Sequence, residues 1–458
     1  MERPGNKGKG DVIMNETYIR HLQEIIRIPT VSTENDAATD WTQFDRLHAF
    51  LEKTYPLIHS RMERTVIGKA SLLYRWKGTG KRLPVLLMAH QDVVPTGRLD
   101  QWTHDPFGGE RDGGCIWGRG TNDCKSLLIA ECEAVEELLR EGFEPDFDIY
   151  LSFGHNEEVQ ASDERKGSVL AGRYLAEQGM RIGCIFDEGG VVSRGADFGQ
   201  AADTALVSLA EKSPNDFVLY KDGAGGHASR PGRHTVLGDV ARAMAAVEAH
   251  PMPYRLTPLA EAQLKALAPL QDGERKAIYA DPKGHWEALC ALAEEDRNLD
   301  AILHTTFAVT KASGSPQTNV LPAHAECTMS VRILQGDTVE SVKAYLESIM
   351  PDGVQVKVTF GEDPHPEGSV DSPEFRLLEQ VIHEVYGAST AVVPMVMTGA
   401  TDSRNYSAVC DNIFRFSGRI MTKDWGEAHQ IDEKVPCDVI EPAVTFFKTF
   451  FRAYQADK

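Results

Sequence analysis

No apolar run in this chain of 458 residues reaches the length of a membrane span, which takes about 18 consecutive apolar positions. The run Ala443 to Phe451 is short and interrupted by Lys448. The stretch Met1 to Asp11 is polar, glycine-rich and mildly basic, and no apolar segment follows it, so no secretory signal is expected. The eight cysteines, Cys115, Cys124, Cys132, Cys184, Cys290, Cys327, Cys410 and Cys437, are scattered, and none forms a Cys-x-x-Cys pair. They are expected to be reduced, buried thiols of a cytoplasmic protein, which leaves any metal to His and carboxylates. Positive charge is scarce: the formal net charge of -20 excludes a general nucleic-acid or anionic-membrane partner, because both would repel the chain. Internal repeats, low-complexity tracts and heptads are also lacking. A Gly-x-Gly-x-x-Gly after the first strand is absent, which excludes a nucleotide-binding oxidoreductase despite Gly118-Arg119-Gly120.

What is present reads as two or three domains of ordinary globular composition. Asn15 to Ile28 has amphipathic helical spacing and ends at Pro29. Pro84 to Ala89, Asp148 to Phe153 and Ile182 to Phe186 read as buried strands, and Ser126 to Arg140 as a helix stopping near Gly142. This alternation predicts an α/β domain with a mostly parallel sheet flanked by helices. The texture changes near Lys212. Strands are expected at Phe217 to Lys221, Thr305 to Lys311, Ala325 to Leu334 and Val354 to Phe360. Helices are expected at Thr235 to His250 and Val339 to Met350, with a charged helical stretch over 255–303. The prediction is a catalytic domain (residues 1–211 and 367–458) interrupted by an α+β insert (212–366). A helix from Glu374 to Tyr386 and short apolar strands complete the catalytic part.

The chemistry gathers at strand ends. One apolar run ends in His90-Gln91-Asp92, a second shortly before Glu157-Glu158, and a third at Asp187-Glu188-Gly189-Gly190. In a parallel sheet these ends share the edge where open α/β sheets bind ligands. Asp123, just before the helix from Ser126, supplies a fourth group. One carboxylate at a strand end is commonly a helix cap or a solvated loop residue. Several converging carboxylates repel one another unless a cation holds them, and a His-carboxylate set suits zinc, with cobalt or manganese as substitutes. His90 and Asp92 face the same way in an extended segment, so the Asp92 carboxylate can accept the second imidazole N–H of His90. Of the pair Glu157-Glu158, one can ligate metal while the other serves as general base.

These motifs, with Gly225-Gly226-His227-Ala228-Ser229 and a late His429, resemble the co-catalytic zinc exopeptidases: aminoacylase, glutamate carboxypeptidase, acetylornithine deacetylase and carboxypeptidase S. The resemblance runs from about Asn15 to Phe451. Asp187-Glu188-Gly189-Gly190 and Thr401-Asp402-Ser403-Arg404 look closest to the carboxypeptidase S and aminoacylase branch.

The resemblance implies two zinc ions per chain held by His90, Asp123, Glu158, Asp187 and His429. Asp123 bridges them, and a cis peptide follows it. Glu188 is a rival to Asp187, because family members differ in which acid of that segment binds. Glu157 is the implied general base and Asp92 the orienter of His90. His227 would stabilise the oxyanion in the neighbouring subunit of a homodimer built through the insert. Asn319 and Arg404 would hold the substrate's carboxylate. The implied reaction is cleavage of a peptide or N-acyl amide bond beside a free carboxylate. Carboxypeptidase and aminoacylase activities both stay open. A non-catalytic peptide-binding protein on the same fold is the rival, and it predicts a missing base or ligand.

Overall fold

The structure, a computed structural model, describes residues 16–159 and 161–456. Asn15 and the segment Met1 to Asp11 lie outside the described residues. No helix among the described residues is long and apolar enough to cross a membrane. The chain forms two compact units. Of the described residues, the first holds those within 16–206, 371–392 and 405–456, and the second holds 207–370 and 393–404. Residues 393–404, read from sequence as part of the returning catalytic segment, thus belong with the second unit. The chain passes between units within the strands Thr204–Glu211 and Ala391–Met397.

The first unit is built on a sheet that is parallel at its centre. Phe147–Gly154, Arg82–His90, Cys184–Asp187 and Ile413–Arg415 lie side by side and run the same way. Val85 to Leu87 and Ile149 to Leu151 are fully buried or nearly so, as expected of parallel strands covered on both faces. Two antiparallel strands, Glu63–Ile67 and Ser71–Trp76, extend one side. Ser126–Glu141 forms the predicted helix, and Gly142 closes it at φ 74°, a left-handed C-cap that suits glycine.

The last helix, Ile440–Ala456, corrects the sequence reading, which noted only a short apolar run there. Phe446, Phe447 and Phe450 recur at helical spacing and meet Phe186 edge-on at ring distances of 5.7, 6.0 and 4.6 Å. That geometry adds to simple burial. Lys448 does not break the helix, because its amine reaches Glu137 and Glu141 at the rim.

The second unit is α+β. Its antiparallel sheet runs in the order Thr306–Ser313, His324–Ile333, Ser213–Asp222, Gln355–Phe360. Alternate residues Ala325, Cys327, Met329, Val331 and Ile333 point into one core with Val240, Ala243, Val342 and Leu346 from helices Val236–Ala249 and Val339–Ile349. The charged stretch folds as four short helices, Pro258–Leu267, Gly273–Ala280, Trp286–Glu295 and Arg297–Leu303.

Candidate metal centre

The parallel strands place their chemistry at one edge. His90 is the last residue of its strand and is 2% exposed. Its Nδ1 lies 2.9 Å from the main-chain oxygen of Asp92, while the Asp92 carboxylate stands 3.5 Å away. The sequence expectation of a carboxylate acceptor is therefore corrected in part: the nearer acceptor is the backbone carbonyl. An Nδ1–H donated there leaves Nε2 as the ligating nitrogen. That nitrogen sits 2.8 Å from Asp123 Oδ1 and 3.4 Å from Glu188 Oε1.

Asp123 faces two ways. Its other oxygen, Oδ2, lies 3.1 Å from His429 Nε2, which is itself 2.9 Å from Glu158 Oε2. Two groups of potential ligands result, His90–Asp123–Cys124–Glu188 and Asp123–Glu158–His429, and Asp123 belongs to both. The peptide bond from Asp123 to Cys124 is cis. Asp187 is in neither group. Its Oδ1 accepts the N–H of Glu188, and Glu188, its rival in the sequence, stands in the first group.

The Asp92 carboxylate has a different task. It accepts the Ser32 hydroxyl at 2.5 Å and the N–H groups of Glu157 and Glu158 at 3.1 and 3.2 Å. It thereby fixes the turn that presents both glutamates. Burial alone would raise the Asp92 carboxyl, but His90 and Ser32 bring it down to about 2. Lys166 supports the same turn from below, donating to the carbonyls of Asn156 and Glu157 at 2.9 and 2.7 Å.

Like Lys166, Glu433 and Arg419 escaped the sequence reading. Glu433 is fully buried and accepts the N–H groups of Gly120, Asn122 and Asp123 at 3.0, 2.8 and 3.3 Å. It also pairs with Arg119 at 2.6 Å, and Arg119 donates onward to the His429 carbonyl at 3.2 Å. One ion pair thus ties the Asp123 loop to the His429 loop. Arg419 donates to the Asn122 carbonyl at 2.6 Å and the Ser126 hydroxyl at 2.8 Å. Gly120 is held at φ 89°, and a Cβ there would meet Val93 at 2.6 Å, so the loop needs glycine.

The electrostatics call for cations. Burial, then the Asp123 carboxylate, pushes the Glu188 carboxyl up to about 8. Burial raises Glu158 as well, and its Oε1 is buried without a hydrogen-bond partner. Hydrogen bonds to Asp123 and Glu158 raise His429 to about 10. Three carboxylates and two imidazoles, crowded together with one carboxylate oxygen left over, fit divalent metal.

The second unit carries the other expected residues. His227 pairs in a short ladder opposite Val320, and the Ala228 N–H meets the Asn319 carbonyl at 2.9 Å. The Ser229 N–H donates to His227 Nδ1 at 3.1 Å, which places the ring proton on the exposed Nε2. Arg404 lies 3.6 Å from Glu362, and its Nε is buried without a hydrogen-bond partner. Arg332 stands close enough for the Arg404 charge to lower its guanidinium further, after burial has already done so.

Known proteins bear on this arrangement. A family model described as Peptidase family M20/M25/M40 matches residues 86–453. A probable carboxypeptidase S-like 2 of Dictyostelium discoideum is 32% identical over 88% of this chain and 78% of its own length. An N-fatty-acyl-amino acid synthase/hydrolase, PM20D1, of Xenopus tropicalis is 30% identical over 94% of this chain and 84% of its own. Among solved structures, the M20 family metallo-carboxypeptidase Sso-CP2 from Sulfolobus solfataricus aligns with a TM-score of 0.71 at 17% identity, covering 97% of this chain and all of that one. At that identity the likeness concerns the fold.

Proposed function

The chain belongs to the peptidase family M20/M25/M40, and from that premise we propose that it is a dinuclear-zinc hydrolase cleaving a peptide or N-acyl amide bond beside a free carboxylate. Membership, with relatives named as carboxypeptidase and acyl-amino acid hydrolase, makes it a metal-dependent amidohydrolase. The observation that carries the two-metal reading is Asp123, shared by both ligand groups. His90 and Glu188 would hold one ion, and Glu158 and His429 the other, with cobalt or manganese as substitutes. When bound, the ions polarise the scissile carbonyl and lower the pKa of the attacking water.

The chain's own residues do the rest. Glu157, held by Asp92 and Lys166 through its backbone, takes the water's proton and delivers it to the leaving nitrogen. On the family's pattern, the Nε2–H of His227 donates to the developing oxyanion from a partner subunit, in a homodimer built through the second unit. Arg404, Arg332 and Asn319 clamp the substrate's carboxylate, the feature common to a carboxypeptidase substrate and an acyl-amino acid. A cytoplasmic location suits eight cysteines that remain thiols.

The test is chelation followed by a substrate screen. Activity should vanish with chelator and return with about two equivalents of zinc or cobalt. Dipeptides and N-acyl amino acids should be cleaved, and their carboxamide counterparts should not. Full turnover by metal-free protein, or equal cleavage of the amides, refutes the reading.

A further inference from the structure

One sulfur stands among the oxygen and nitrogen donors of the metal centre. Cys124 is fully buried, and it belongs to the first ligand group. In that group one ligand atom each from His90, Asp123, Cys124 and Glu188 lie within 4.8 Å of one another. The sequence reading left metal to His and carboxylates and made every cysteine a small buried side chain. Of the eight, Cys124 alone stands in such a group among the described residues.

Zinc takes sulfur at about 2.3 Å and nitrogen or oxygen at about 2.0–2.2 Å, so the ligands of one ion stand roughly 3–4 Å apart. The spacings of His90 Nε2 from Asp123 Oδ1 and Glu188 Oε1, 2.8 and 3.4 Å, are of that order. The sulfur is also prepared for negative charge. The His90 N–H donates to Sγ at 3.2 Å, a bond that strengthens when its acceptor is ionised. The thiol's own donation, to the His90 carbonyl, is long at 3.7 Å, so little is lost when its proton goes.

We propose that Cys124 is the fourth ligand of the ion held by His90, Asp123 and Glu188, bound as a thiolate whose proton leaves to solvent. This rests on the two-metal reading and adds a donor to it. Four protein donors close the first site, as structural zinc sites are closed. Asp123, Glu158 and His429 give the second site three, which leaves the open position that catalytic zinc keeps for water or substrate. His429, whose side chain is 53% exposed, suits an open site.

The full chain, stripped of metal and reloaded with cobalt, tests it by absorption. Wild type should take up about two equivalents. It should also show an intense near-ultraviolet charge-transfer band from thiolate to cobalt, which His and carboxylate ligands do not give. Cys124→Ser should bind cobalt without the band, and Cys124→Ala carries the same reading if the serine variant fails to fold. Cys184→Ser, at a buried thiol outside the group, should keep the band. In zinc titrations against a competing chelator, Cys124→Ser should hold one of the two ions at least tenfold more weakly. Two equivalents bound by wild type without the band overturn the proposal, need no variant and leave the two-metal reading standing. A band that survives in Cys124→Ser, or an unchanged zinc affinity there, overturns it as well. A chain that takes up no cobalt overturns both readings.

Discussion

At the scale of single residues, adjacent side chains divide the work. Glu157 and Glu158 share one turn, and Glu158 reaches His429 at 2.9 Å. Glu157→Gln should therefore keep its metal and lose about 10²–10⁴-fold in turnover, the usual contribution of proton transfer. Elemental analysis beside the rate decides it, and zinc loss in that variant would reverse the two roles. Lys166 acts through backbone carbonyls, so it positions rather than reacts. Lys166→Met should lower kcat by about 10²-fold, the cost of a base displaced by about 1 Å, with KM and metal content unchanged. Lys166→Arg should recover part of the loss, whereas a fall in zinc content would show that the turn itself had collapsed.

The residues at strand ends were legible in the sequence, because each follows an apolar run. Glu433, Arg419 and Lys166 were not, since each matters only through a partner that folding brings near. The choice between Asp187 and Glu188 was equally hidden. Neighbours at a strand end face opposite ways, and nothing in an apolar run fixes which one faces the cleft.

At the scale of elements, the periodic segments were legible and the edges were not. Three of the four central strands and the helices beside them follow from hydrophobic pattern, whereas Ile413–Arg415 is only three residues long and too short to show one. The outer strand Glu63–Ile67 and its neighbour Ser71–Trp76 carry mixed polarity, and the helix Ile440–Ala456 was masked by a lysine at the rim of its apolar face. Lys212 shows what an element can demand of one side chain. Its buried amine donates to the carbonyls of Ala301 and His304, each at 2.8 Å, at the end of helix Arg297–Leu303. Burial lowers that amine to about 7.

The folded value thus lies below the unfolded one, about 10.4. Between those two values the unfolded chain binds a proton that the folded chain does not. Lys212 should then make stability rise with pH across that window, by up to about 1.4 kcal/mol per unit, and that contribution is lost as pH falls to 7. Urea unfolding at pH 7.5 and 9.5 should show the slope in wild type and a flatter one in Lys212→Met. Equal slopes would mean that the amine stays charged in the fold.

At the scale of the whole molecule, the proposed dimer makes a complementation test possible. His227→Ala and Glu157→Gln should each be inactive while binding metal. Mixed under conditions of subunit exchange, they form heterodimers in which one site has both residues intact. Activity should return to about a quarter of wild type if exchange is random and sites are independent. Heterodimers that form yet stay inactive would place His227 in its own chain's site or outside the reaction.

The tie between Glu433 and the Asp123 loop has a consequence in time. The two partners are 310 positions apart, and His429 lies in the same late segment. At a synthesis rate of about 5–20 residues per second, a ribosome needs roughly 15–60 s to travel from one to the other. Throughout that interval the emerging chain presents His90 and Asp123 without their closing partners. Only once residues 429–433 have emerged can His429 complete the second ligand group and Glu433 hold the Asp123 loop in place.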